Sequence, residues 1–205
     1  MLNIVTPCSR PGNLLQVFHS IVKANEKFKY EINWHICVDS LSKEVAENPH
    51  IFNLFSNQFW YGLDCLVYFC ADEKSIVGNS QRNYVLDKIK NNNWVIFIDD
   101  DNLINPDFLP FLIKFEKDYP EKQGFIVAQD RREDLNIILD PTKIGVGLNK
   151  TDGGQLCFKK SIIGSTRWIP DKYNADGYFL SEIYEKHKDE IVLVSDILSY
   201  RNKLR

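Results

Sequence analysis

Trp94-Val95-Ile96-Phe97-Ile98 runs without a break into Asp99-Asp100-Asp101. The first five residues, apolar and rich in β-branched and aromatic types, read as a buried strand. Three consecutive carboxylates at its end repel one another unless something positive receives them. In an extended backbone successive side chains point to opposite faces, so Asp99 and Asp101 are expected to share one face while Asp100 turns away. Two carboxylates projecting together suit a hard divalent cation, Mg²⁺ or Mn²⁺, which takes oxygen ligands and commonly binds through one or two carboxylates plus phosphates. The segment reads as a metal-bound nucleotide site at a strand end. Its plainer reading is an acidic turn capping the next helix, since Asn102 to Pro106 is turn-rich.

Working outward, Asn79 to Lys90 reads as a helix with Val85, Leu86 and Ile89 inward, ended by Asn91-Asn92-Asn93. A second helix follows the acids from Pro106 to about Lys117, with Phe108, Leu109, Leu112 and Phe115 inward. Upstream, Leu2 to Thr6 reads as a strand broken by Pro7. Ser9 is placed to cap a helix with Pro11 in its first turn and Leu14, Leu15, Phe18, Ile21 and Val22 as its apolar stripe. Ile32 to Val38 is a strand ending at Asp39, and Leu63 to Cys70 another, with a short helix expected around Ile51 to Phe55. Four strands alternating with three helical stretches imply βαβ units and a largely parallel sheet. Ligands on such sheets bind beyond the carboxyl ends of the strands, where the Thr6–Arg10 loop, Asp39-Ser40 and the acidic triplet all fall.

The second half is less regular. Phe125 to Ala128, Asn136 to Leu139, Gln155 to Phe158 and Ile191 to Val194 read as short strands, Gly145, Gly147, Gly153 and Gly154 as turns, and Asp176 to about His187 as a helix. With no internal repeat or linker, residues 1–205 read as one domain of two functional halves, 1–101 and 102–205.

Composition narrows the partners. A net charge of −3 lacks the basic excess of nucleic-acid binders. Cys8, Cys37, Cys65, Cys70 and Cys157 are odd in number and form no CxxC pair, which disfavours structural disulfides and a zinc site and fits a reducing, cytoplasmic setting. The first strand begins at Leu2, leaving no room for a signal peptide, and no apolar run approaches the roughly 20 residues of a membrane span. GxGxxG, HExxH and GxSxG patterns are absent, which removes the usual dehydrogenase, zincin and hydrolase signals.

The order of motifs resembles the GT-A glycosyltransferases, nucleotide-sugar-dependent enzymes with a Rossmann-like α/β fold, a mostly parallel central sheet flanked by helices, and a DxD motif. The match rests on the first strand with Thr6-Pro7, Asp39 after the second, Gly78 to Asn83, Asp99-Asp100-Asp101, and Asp176 opening a late helix. Phe97-Ile98-Asp99-Asp100-Asp101-Asn102 is similar to the DDD segment of glucuronyltransferase-type members. The resemblance implies transfer of a sugar from a nucleoside diphosphate, with UDP as the expected nucleotide, to a hydroxyl of a glycan or other acceptor, metal-dependent and with inversion. Residues 1–101 become the nucleotide-sugar half and 102–205 the acceptor half. It also implies roles. Asp99 and Asp101 serve the metal, with Asp99 alternatively holding the ribose. Thr6, Pro7, Arg10, Asp39, Arg82, Asp99 and Asp100 form the nucleotide site, Asp39 taking the uracil N–H.

Asp176 is the implied general base, and its position equally suits a helix N-cap. Arg82 sits where a guanidinium reaches phosphate or base, or stands as a solvated surface arginine. Asp152-Gly153-Gly154-Gln155 is a candidate for the acceptor side. Trp168 and Tyr173 are candidate sugar-stacking aromatics, although core aromatics are commoner. Many members add a histidine near the carboxyl terminus as a metal ligand; His19, His35, His50 and His187 do not supply it. Aspartate, diphosphate and water then hold the metal, and the basic Tyr200–Arg205 end is a candidate to close over the phosphates. Competing readings are a nucleotidyltransferase, disfavoured because the loop after the first strand holds one arginine and no lysine, and a catalytically silent sugar-nucleotide-binding domain.

Overall fold

The structure is a computed structural model that describes residues 1–55, 59–60, 62–72, 76–90, 92–131, 137–201 and 204. Strand β1 (Leu2–Cys8) leads through a 3-10 turn (Pro11–Asn13) into helix α1 (Leu14–Asn25) and strand β2 (Ile32–Asp39). Helix α2 (Lys43–Glu47), a 3-10 turn (Pro49–Leu54) and the short β3 (Phe59–Trp60) precede β4 (Leu63–Cys70). Then come α3 (Asn79–Lys88), β5 (Trp94–Phe97), β6 (Leu103–Ile104), α4 (Phe108–Asp118), β7 (Gly124–Arg131) and β8 (Ile137–Leu139). The chain closes with α5 (Pro141–Ile144), β9 (Leu156–Lys159), α6 (Lys160–Ile163), α7 (Ala175–His187) and β10 (Ile191–Arg201).

One sheet carries these strands in the order β3-β4-β2-β1-β5-β9-β7-β10-β6, with β8 on β7. The block β4-β2-β1-β5 is parallel, as the βαβ pattern predicts. Beyond it β9 joins both β5 and β7 antiparallel, while β7 and β10 run parallel. The two-residue period of the central strands sorts their side chains into two cores. Leu2, Ile4, Trp34, Ile36, Trp94 and Ile96 pack with Leu14, Val17 and Ile21 of α1 and Leu109, Leu112 and Phe115 of α4. Val5, Cys37, Val95 and Phe97 face the other way, onto Val85 and Leu86 of α3 and Phe179, Leu180 and Ile183 of α7. Fully burying such a side chain contributes about 1.5–3 kcal/mol, against about 0–1 for a surface ion pair, so apolar packing places the sheet and the charged loops ride on it.

Several boundaries differ from the sequence reading. β1 continues through Pro7, which pairs with Cys37 of β2. Among the described residues no strand pairs with its other edge there, because β5 ends opposite Val5, and an edge tolerates a residue without an N–H. Ser9 caps nothing in α1; its N–H and hydroxyl turn to Asp100 instead. Leu15 leaves the expected stripe and is 52% exposed, while Val17 takes the inward place. β10 is much longer than Ile191 to Val194, since it gains partners on both sides in β7 and β6. The proposed helix-ending Asn91, the strand start at Asn136, and Asn202, Lys203 and Arg205 of the basic end lie outside the described residues.

Candidate active site

A cleft of about 500 Å³ opens beyond the carboxyl ends of β1, β2 and β5. Pro7 to Arg10, Asp39 and Asp99 to Asp101 form its floor; Val77, Gly78, Gln81 and Arg82 at the start of α3 form one wall. Asp152, Tyr173, Asp176 and Arg201 arrive from the second half.

The acidic triplet does not continue the strand. β5 stops at Phe97 and the chain turns at Asp100 and Asp101, so strand alternation no longer sorts the carboxylates. Asp100, buried, accepts the backbone N–H groups of Ser9 and Arg10, both at 2.7 Å, on Oδ2. Its Oδ1 accepts from Arg10 Nε at 2.9 Å and Nη2 at 2.6 Å. The same Nη2 meets Asp101 Oδ2 at 2.9 Å. Asp100 and Asp101 therefore share Arg10, and Asp100 clips the β1 loop to the β5 loop rather than turning away from the site.

Asp99 goes to the opposite wall, where Arg82 donates to it through Nη2. Arg82 is buried, not a solvated surface arginine, and its Nη1 also holds the Val77 carbonyl at 2.8 Å. That carbonyl belongs to a strained turn: Val77 has φ +48° and Gly78 φ +79°. A side chain at Gly78 would strike Pro7, with Cβ 2.5 Å from the proline Cβ, so glycine lets the α3 wall close on the β1 loop. Arg82 Nε has no hydrogen-bond partner among the described residues. Burial pushes the Asp99 carboxyl up to about 7; Arg82 opposes the rise, and Asp152, Asp176 and Asp101 add to it.

Asp176 lies in the first turn of α7 but is not its cap. Asn174 holds the N-cap position, and the Asp176 carboxylate turns away to accept the Trp168 indole N–H at 2.7 Å. Burial and the nearby Asp152 raise its pKa, while Arg82, Trp168 and the Gly153 N–H favour the charged form. Asp152 caps the 3-10 turn at Gly153–Gln155 in a reciprocal capping box and pairs with Arg201 Nε at 3.1 Å. The chain end returns to the acids here, since the Leu204 N–H donates to the Asp101 carbonyl at 3.2 Å.

Pro7, Arg10, Asp39, Arg82, Asp99, Asp100, Asp101 and Asp176 thus converge on one cleft. Thr6 does not join them: its fully buried hydroxyl accepts the Trp34 indole N–H at 2.8 Å, because alternation along β1 turns it into the sheet. Trp168 is no stacking platform either, being 1% exposed and stacked on Phe179. Tyr173, 73% exposed at the cleft, remains available for that purpose. His187 pairs with Glu190 at the end of α7. Asp39 bonds the Leu41 N–H at 3.0 Å through Oδ1. Gln81 and the Asp152–Arg201 pair were not selected as site residues from sequence. The basic end and the Asp-Gly-Gly-Gln turn pointed toward the latter pair, whereas Gln81 carried no signal.

Six aspartates and three arginines line the cleft, an acidic excess that suits a divalent cation. Among the described residues no group of three His, Cys, Asp or Glu side chains is arranged to hold one alone. The cleft's carboxylates offer oxygen donors that fit a cation completed by phosphate or water oxygens.

No protein-family model matches the chain, and no curated protein matches it. Solved structures match nearly all of it. The 1–349 portion of S. aureus TarS in complex with UDP superposes with a TM-score of 0.74 at 14% identity, covering 97% of this chain and 59% of that one. The mannosyltransferase PcManGT from Pyrobaculum calidifontis, in complex with GDP-Man and Mn²⁺, gives 0.68 at 12% identity, covering 98% and 56%. Glucosyl-3-phosphoglycerate synthase from Mycobacterium tuberculosis, in complex with phosphoglyceric acid, gives 0.60 at 14%, covering 97% and 71%. This chain has the Rossmann-like α/β architecture of the GT-A fold. The chain spans little more than half the length of the TarS 1–349 portion and of PcManGT, and about a third (36%) of the longer TarS structure. Among the described residues no helix is long and apolar enough to cross a membrane.

Proposed function

We propose that the chain is a DxD-type glycosyltransferase moving a sugar from a nucleoside-diphosphate sugar, with UDP as the nucleotide, to a hydroxyl acceptor with inversion. The observation that carries the reading is the meeting of Asp176 with the acidic triplet in one cleft, 75 positions apart in sequence. The complexes of TarS with UDP and UDP-GlcNAc and of PcManGT with GDP-Man support the donor class.

Asp39 and the Pro7–Arg10 loop hold the base and ribose, and Arg10, Arg82 and Arg201 surround the phosphates. Asp99 and Asp101 would hold a divalent cation, Mn²⁺ or Mg²⁺, which when bound would supply positive charge to the diphosphate leaving group. Arg82 Nε, without a hydrogen-bond partner among the described residues, is a donor for a phosphate oxygen or a water. Asp176 accepts the acceptor hydroxyl's proton as that oxygen bonds to the anomeric carbon. The bond from that carbon to the β-phosphate oxygen breaks, and its electron pair leaves with the diphosphate. Tyr173 at the rim offers a face for the acceptor ring.

Incubation with a panel of nucleotide sugars and simple glycan acceptors, with and without Mn²⁺, tests this by release of nucleoside diphosphate. Expected is metal-dependent release from a UDP-sugar, abolished in Asp101→Ala. Release of pyrophosphate from a nucleoside triphosphate and a sugar phosphate would instead identify a nucleotidyltransferase. No turnover of any donor would leave only a binding domain.

A further inference from the structure

We infer that Trp168 is a positioning residue for Asp176, its indole N–H pinning Oδ1 so that Oδ2 is the oxygen presented to the acceptor. The inference rests on the proposed role of Asp176 as base. An aspartate carboxylate turns readily about its last torsion, whose preference is broad. A base must nevertheless aim one lone pair at one hydroxyl.

Trp168 removes that freedom because it cannot move itself. Its ring stacks on Phe179 with centroids 3.5 Å apart and meets Phe97 edge-on at 4.4 Å. Asn83 grips its backbone at both ends, accepting the Trp168 N–H at 2.9 Å and donating to the Trp168 carbonyl at 2.8 Å. From this fixed frame the indole reaches Asp176 Oδ1 at 2.7 Å. Gly153 closes the other side, where an added Cβ would stand 3.1 Å from the same oxygen.

The charged groups acting on Asp176 are Arg82 from α3, Asp152 from the turn before β9, and Asp99 after β5. Arg82 already answers Asp99, and Asp152 repels. The indole is a neutral donor that favours the charged carboxylate without adding another cation to the cleft. Phenylalanine would keep an aromatic face on Phe179 but carries no donor. What tryptophan adds is the N–H.

Trp168→Phe tests this, together with β-(3-benzothienyl)alanine at position 168, in which sulfur replaces the N–H and the ring shape is kept. The second protein carries the test where Trp168→Phe folds poorly. Titration of the Asp176 carboxyl carbon by NMR, assigned with Asp176→Asn, needs no substrate. Its midpoint is expected to rise by about one pH unit, since a donor to the charged form is lost. The acid limb of kcat/KM should move up by the same amount, kcat should fall roughly tenfold or more, and UDP affinity should hold. Superimposable titrations and pH profiles in the benzothienyl protein would overturn the inference. A wild type that transfers no sugar would sink the proposed function instead; a shifted titration would still uphold the pinning of Asp176.

Discussion

Arg10 reaches Asp100 and Asp101 from a loop, with 32% of its side chain exposed, whereas Arg82 reaches Asp99 from a helix with 3% exposed. Both pair with the same acidic triplet across the same cleft, so residue type does not explain the contrast between them; surroundings do. Arg10 faces solvent on one side, and its partner Asp100 also binds two backbone N–H groups, so the pair is one contact of several in a loop clip. Arg82 is enclosed and faces Asp99, Asp152 and Asp176; its charge opposes, without cancelling, the burial and repulsion that raise the Asp99 and Asp176 carboxyls. The open wall clips the β1 loop to the β5 loop. The closed wall holds acids whose carboxyls are raised toward the neutral form.

Breaking this comparison at its chemical end has the largest expected effect. If the closed wall carries the reaction, Asp176→Asn lowers kcat by about 10²–10⁴-fold with UDP affinity unchanged. The amide oxygen still accepts the Trp168 N–H, so thermal stability should stay near wild type. Near-normal kcat with the true acceptor would remove Asp176 from the chemistry and reopen the choice between inversion and retention.

Next comes stability. Arg82→Met removes a buried cation from the partly exposed Asp99 and from the Val77 carbonyl, and should cost about 1.5–3 kcal/mol, read from the urea midpoint. Arg10→Met removes a one-third exposed cation from buried Asp100 and Asp101, but Asp100 keeps two backbone N–H donors, so the cost should be smaller, about 1 kcal/mol. Its consequence should appear in weaker UDP binding instead. Equal losses of stability from the two substitutions would erase the distinction between the walls.

A smaller effect lies away from the cleft and sharpens the contrast between buried groups held charged and held neutral. His35, buried between Asn3 and Tyr68, has its pKa lowered to about 4 by desolvation. The unfolded chain takes up a proton below about 6.5 while the folded one does not, so stability falls as pH drops from about 6.5 to 4 and this contribution then levels off. A His35→Gln variant should show a flatter stability profile across that window in urea titrations. An identical slope would assign the acid sensitivity elsewhere.

The parallel half was readable because its signals are local. β4 falls at Leu63–Cys70 and β2 within one residue of the expected end, since each strand is a run of apolar residues with polar punctuation. The second half was less so. Gly124–Arg131 and Ile191–Arg201 outrun their apolar cores because each gains its length from a neighbour distant in the chain, which no window of sequence contains. The site followed the same division. Acids at strand ends were legible, but the assignment of Asp99 and Asp101 to one face failed, because the backbone leaves the strand before the acids begin.

By itself the sequence determined an α/β chain with a parallel block, a two-residue burial period that sorts the strands onto two cores, and polar loops gathered at one sheet edge. It could do so because periodicity and strand-end chemistry are properties of neighbouring residues. Tertiary structure alone decided that Arg10 answers Asp100 and Asp101 while Arg82 answers Asp99, that Thr6 turns inward, and that Trp168 serves Asp176 rather than a sugar. These pairings join residues up to some 90 positions apart, as with Arg10 and Asp100. Which acid receives which cation depends on the turn that ends β5 and on how deeply each wall is enclosed, and both arise only once the two cores have packed.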